Sequence, residues 1–136
     1  GVHLAPDVIR MAMSSAGPKR IALVTDAMSA TGQPDGDYIL GSLPVKVVDG
    51  RARLLAADGS LGAIAGSTLT MGRAVEFVTS VVGIPLGQVA VMAATTPAKL
   101  HGLNEVGVIE EGHWADLCLT DAKGHLVRVI HRGEAV

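Results

Sequence analysis

Aromatic residues are nearly absent from this 136-residue chain: one Trp, one Tyr and one Phe make up 2% of it. The core must therefore be assembled from Ala, Val, Leu, Ile and Met, a composition suited to helices packed closely on a sheet. Cysteine is as scarce. Cys118 is the only one, so no intrachain disulfide can form, and its setting in Asp116-Leu-Cys118-Leu-Thr reads as a buried strand position. A reducing compartment, the cytoplasm, is the expected location. Eleven basic against thirteen acidic residues give a net charge of −2, which provides no electrostatic case for binding nucleic acid or an acidic membrane surface. Long apolar runs are lacking too, each being broken by Gly, Pro or charge well short of a membrane span. The N-terminus has no basic region followed by an apolar core, so neither a transmembrane helix nor a signal peptide is read.

What is present suits one globular domain, with 49% of residues hydrophobic. Gly1-Val-His3-Leu-Ala-Pro6 has no initiator methionine and runs directly into structured-looking sequence, which predicts a piece of a longer protein. From Pro6 to about Ser15, apolar residues recur at helical spacing, and Gly17-Pro18 stops that helix. A strand is predicted over Arg20–Thr25, giving the helix-then-strand order of a parallel α/β unit. Short strands follow at Tyr38–Leu40, Val45–Val48 and Ala52–Leu55, with Asp49-Gly50 as the tight turn between the last two. Ser67 or Thr68 can cap a helix running to about Val82, a second helix covers Leu86–Ala94, and Pro97 begins a short third that ends at His101-Gly102. From Val106 the pattern is strand-like again, with Leu117–Thr120 and Leu126–His131 joined by an Asp121–Gly124 turn.

Ile21-Ala-Leu-Val-Thr-Asp26 delivers one carboxylate to the end of an apolar strand, the edge where parallel α/β folds gather their chemistry. Asp26 is thus the first candidate for an acid or base, the alternative being an aspartate that ties down the strand-to-loop turn. His3, just before a proline-started helix, would share that face in a barrel. The other four histidines stand apart in turn or helix-end contexts that suit surface or structural roles, and no His-x-His, His-Glu-x-x-His or paired-cysteine pattern marks a metal centre. Gly62–Ser67 is a Gly-punctuated loop entering a helix, able to offer backbone N–H groups to a phosphate or polar substrate or to serve as a plain turn.

Three segments, Gly1-Val-His3, Leu23-Val-Thr-Asp26-Ala-Met28-x-x-x-Gly32 and Ile64-Ala-Gly66-Ser67-Thr68-Leu69-Thr70-Met71, closely resemble the C-terminal part of the N-acetylglucosamine-6-phosphate deacetylase family. Met92-Ala-x-x-x-Pro97-Ala98-x-x-x-Gly102 and Gly107-Val-Ile-Glu-x-Gly112-x-x-Ala115-Asp116-Leu117 are similar to the closing signature of the wider amidohydrolase superfamily. His113 stands where that superfamily commonly has Lys, at a structural turn.

The resemblance implies an α/β fold in which residues 1–105 form the C-terminal part of a TIM-like (β/α)8 barrel, with a small β-hairpin insertion at about 38–55. Residues 106–136 would supply the C-terminal strands of an accessory β domain. It implies deacetylation of N-acetylglucosamine 6-phosphate in amino-sugar catabolism by the complete chain, with the fragment alone inert. Asp26 matches the family's catalytic aspartate, base toward a metal-activated water and then acid toward the departing amine, roles that amide hydrolysis requires of a carboxylate. His3 matches a substrate-contacting histidine, and Ile64, Ala65 and Gly66 match a substrate-contacting loop. The divalent metal, zinc or iron, would be held by a glutamate and two histidines upstream, so no metal ligand is assigned here. A homo-oligomer is expected, with an amino-sugar phosphate as the ligand. The competing readings are an amidohydrolase of a cyclic amide or small N-acyl substrate, and a non-catalytic α/β module that binds a phosphorylated ligand.

Overall fold

A computed structural model describes residues 1–136 as an α/β chain whose contacts gather it into two compact units, residues 1–24 with 71–136 and residues 25–70. No barrel is formed by these residues alone. The sheets are two antiparallel meanders, one of four strands and one of three.

In the first unit, helix α1 (Pro6–Ala16) begins on a proline whose missing N–H costs nothing in a first turn, and it ends at Gly17 with a φ of 74°, as the Pro6 and Gly17-Pro18 signals require. Extended chain follows through Ile21–Val24, yet no strand forms there, contrary to the expectation for Arg20–Thr25. The reason is pairing. A strand is defined by a neighbour about 4.8 Å away, and the backbone bond recorded for this stretch is Leu23 N–H to the Met92 carbonyl at 2.9 Å.

Helix α2 (Met71–Phe77) widens into a π-turn over Val78–Val82 that closes at Gly83. It starts at Met71, later than a Ser67 or Thr68 cap would place it. Arg10 of α1 donates to the terminal carbonyls of that turn, Nε to Val82 at 2.8 Å and a guanidinium NH₂ to Val81 at 3.1 Å, supplying donors that the helix end lacks. Helix α3 (Leu86–Ala90), a second π-turn (Val91–Thr95) and helix α4 (Thr96–Leu100) form one continuous run rather than two helices. Pro97 removes an N–H donor from this run, and the widened turn before it accommodates the loss without a break. Val78, Val82, Ile84 and Val89 form the buried core, with Ile9, Met13 and Leu23 packed against it.

Residues 106–116 are turns and bends rather than strand. The three-stranded sheet after them is β5 (Leu117–Thr120), β6 (Leu126–His131) and β7 (Glu134–Ala135), the last unanticipated from sequence. Cys118 is exposed, not buried: successive side chains of β5 point to opposite faces, and that of Cys118 lies on the open one while Leu117 and Thr120 are half-buried.

The second unit is an antiparallel meander, β1 (Gly36–Leu40), β2 (Leu43–Val48), β3 (Arg51–Leu55) and β4 (Leu61–Ile64), larger than the hairpin expected at about 38–55. Asp49 and Gly50, with φ of 52° and 66°, make the two-residue turn whose positive φ values match the twist of β2 and β3. The Asp35 carboxylate accepts both of their N–H groups, fixing the turn from outside. Alternation sends Val45, Val47 and Ala52 inward, where they pack with Met28, Ala30 and Ala65.

Candidate functional site

Asp26 stands where the extended segment turns, with a left-handed φ of 50° and an exposed side chain. A non-glycine residue there carries a local cost that short polar side chains bear most easily. The next residue, Ala27, forms a parallel bridge with Ser67, and the Met28 N–H donates to the Ser67 carbonyl at 2.8 Å. Asp26 and Gly66 are therefore the residues immediately preceding a bridged pair, and the carboxylate and the Ile64–Gly66 loop emerge side by side from one sheet unit.

The loop is built for close approach. Ala65 is buried and its N–H donates to the Ala52 carbonyl at 3.0 Å, so the loop hangs from β3. Gly66 has φ +70° and lies against Met28, where an added Cβ would sit 3.3 Å from the Met28 Cβ and 3.4 Å from its sulfur; both the conformation and the space call for glycine. Ile64 is 43% exposed at the end of β4, a side chain offered outward rather than used in the core. Ser67 is buried, and its Oγ accepts the Leu69 N–H at 3.0 Å, closing the turn after the loop. The arrangement presents a carboxylate able to accept and return a proton beside backbone groups able to contact a substrate.

His3 lies in the other unit, exposed in a bend ahead of α1. The structure thus brings Asp26 together with Ile64, Ala65 and Gly66 in the second unit, while His3 belongs to the first. Of the remaining histidines, His125 and His131 pair with carboxylates at the surface, His101 is exposed, and His113 has a buried Nδ1 without a partner. His125 Nδ1 lies 2.8 Å from Asp121 and Nε2 3.1 Å from Glu76 on α2, and His131 Nδ1 lies 2.9 Å from Asp116. Hydrogen bonding to Asp121, helped by its charge and that of Glu76, raises the His125 pKa above its ordinary 6.5, and the same bond holds Asp121 below the ordinary carboxylate value. Asp116 is likewise lowered, chiefly by accepting the Arg132 backbone N–H. No group of three His, Cys, Asp or Glu side chains is placed to hold a metal ion, so the residues present do not fit a metal centre of their own. No helix is long and apolar enough to cross a membrane.

Thr31 is the residue near this site that sequence reasoning passed over. Its hydroxyl donates to the Ser67 carbonyl at 3.2 Å, and nothing in Ala30-Thr31-Gly32 signals a bond that spans 36 residues.

The comparisons with known proteins agree over the whole chain. A sequence profile of the amidohydrolase family matches residues 5–136. The N-acetylglucosamine-6-phosphate deacetylase of Vibrio furnissii is 34% identical over 137 residues, covering 100% of this chain and 33% of that protein. An N-acetylgalactosamine-6-phosphate deacetylase of Escherichia coli is 31% identical over 135 residues, covering 98% of this chain and 34% of that one. Among solved structures, N-acetylglucosamine-6-phosphate deacetylase of Thermotoga maritima aligns with a TM-score of 0.85 at 38% identity, covering 99% of this chain and 36% of that one. An aspartate-to-alanine variant of the Mycobacterium smegmatis enzyme, in complex with N-acetyl-D-glucosamine-6-phosphate, aligns with the same score at 37% identity, covering 99% and 35%. The chain therefore spans about a third of the length of these relatives. It belongs to the amidohydrolase family.

Proposed function

We propose that this chain is the C-terminal third of a metal-dependent hydrolase that removes acetate from N-acetylglucosamine 6-phosphate, with Asp26 as the proton-transferring group. The observation that carries the reading is the bridge between Ala27 and Ser67, which sets the only carboxylate at the extended segment's end beside the Ile64–Gly66 loop. Amide hydrolysis needs a proton taken from the attacking water and a proton given to the departing nitrogen, and one exposed carboxylate does both in turn. His3 and the Ile64–Gly66 loop contact the sugar phosphate in this proposal. A divalent ion, zinc or iron, held by ligands outside this chain, would supply Lewis-acid chemistry; the chain's own residues provide proton transfer and substrate contact.

In the longer protein we assign residues 1–105 to the end of a TIM-like barrel and 106–136 to an accessory β domain. The whole is a cytoplasmic homo-oligomer acting in amino-sugar catabolism, and the apolar side chains exposed on Val24, Leu100 and Ile109 support burial against further protein. The likeness to an N-acetylgalactosamine-6-phosphate deacetylase supports a second reading, in which the 4-epimer is the preferred sugar.

Acetate release by the full-length protein from both sugar phosphates, with zinc or iron supplied, tests the reading. Turnover of the gluco sugar with a higher kcat/KM than the galacto sugar is expected. The reverse order would favour the second reading, and no acetate from either would contradict both.

A further inference from the structure

We infer that Thr31 is a positioning residue for this site, holding Asp26 and the substrate loop in fixed relation through a shared backbone acceptor; the inference rests on the deacetylase reading above. The Ser67 carbonyl is that acceptor. It takes the Met28 N–H at 2.8 Å and the Thr31 hydroxyl at 3.2 Å. Both donors belong to the segment that carries Asp26, because the Thr31 N–H in turn donates to the Met28 carbonyl at 3.0 Å and folds residues 28–31 into one tight turn. Met28 and Ala30 are 7% and 1% exposed, so this turn is anchored in the sheet core. Ser67 is equally fixed, at 8% exposed, and the loop before it hangs from β3 through Ala65.

Thr31 thus acts at one remove from the chemistry. Its hydroxyl closes a loop of bonds running from the Asp26 turn to Ser67 and back. Without it, the Asp26 segment keeps the Ala27–Ser67 bridge and the packing of Met28 on Gly66, and loses the one side-chain tie that holds the far end of its turn to the Ser67 carbonyl. Because a small misplacement of reacting groups lowers rate steeply, loss of one such tie should be visible in turnover. It should be visible in substrate affinity too, since the same bond positions the loop that contacts substrate.

The test uses the full-length, metal-loaded protein as wild type, Thr31→Val, Thr31→Ser and Asp26→Asn, with kcat and KM measured for the N-acetylated sugar phosphate. Thr31→Val keeps the shape and removes the donor; kcat is expected to fall about tenfold and KM to rise about threefold. Thr31→Ser restores the hydroxyl and should recover most of both. A merely structural role would lower the active fraction, reducing apparent kcat at unchanged KM, and that pattern would overturn the inference. So would unchanged constants in Thr31→Val alongside an inactive Asp26→Asn. Near-wild-type turnover in Asp26→Asn would overturn the functional reading itself, and the inference with it.

Discussion

Residues 25–70 pair their strands among themselves, whereas the remainder of the chain leaves Ile21–Val24 without a strand partner and carries the most exposed of the large apolar side chains. In the sheet unit each strand has its partner next in sequence, and Val45 and Val47 are 0% and 2% exposed. In the other unit Val24 is 71% exposed, Leu100 74% and Ile109 91%, and Ile21–Val24 stays extended without becoming a strand. The difference teaches which parts of a fold a segment carries within itself. A meander needs only turns such as Asp49-Gly50, while a strand of a parallel sheet needs neighbours brought from far along the sequence. The proposed carboxylate and substrate loop fall in the self-sufficient unit.

The largest effect expected from breaking this pattern is chemical. In the full-length protein Asp26→Asn should lower kcat by about a hundred- to ten-thousandfold with KM within a few-fold, since the amide keeps the shape and loses the proton. Initial-rate kinetics decide it, and wild-type turnover would move the acid–base role elsewhere.

Core truncation sharpens the same contrast at the level of stability. Met92 is 1% exposed and its carbonyl holds Leu23, so Met92→Ala should cost about 2–5 kcal/mol in denaturant unfolding of the full-length protein. Val45→Ala, in the sheet core, should cost less, about 1.5–3 kcal/mol. A larger loss for Val45→Ala would mean the helical unit is held mainly from outside.

How much was legible follows the same line. Pro6 and Gly17 mark α1 because helix ends have local chemistry, and Asp49-Gly50 marks its hairpin for the same reason. Asp26 was legible as the end of an apolar run, but its left-handed backbone was not. Strand β4 read as loop because Gly62 contributes no strand-forming side chain; its partner β3, with Leu54 against Gly62, makes it a strand. Cys118 read as buried because leucines flank it, and which face of a strand is covered is decided by elements elsewhere. Pro97 marks the first turn of α4 and His101 its end, because helix ends have local chemistry, whereas the π-turn that joins α4 to α3 without a break has no such mark. Thr31 gave no signal, since a side-chain bond to a distant carbonyl has no sequence periodicity.

The smallest expected effect concerns the Asp121–His125 turn against α2. The raised His125 pKa means its contribution is complete below pH 6.5 and is lost as pH rises through the raised value. The lowered Asp121 pKa means its contribution is present above pH 3.8 and is lost as pH falls through the lowered value. Protection of the turn amides should therefore be greatest between those limits. His125→Gln should flatten the alkaline side of the profile, read by hydrogen exchange as a function of pH, and an unchanged profile would remove His125 from that role.

The central claim is that the Asp26 turn and the substrate loop are locked together by residues 25–70 themselves. Amide hydrogen exchange on the 136-residue chain alone tests it most directly. The Met28 N–H, bonded to Ser67, should exchange as slowly as the β2–β3 ladder amides of Lys46 and Arg53, while Ala22 and Val24 exchange fast. A Met28 amide that exchanges as fast as those of Ala22 and Val24 would contradict it.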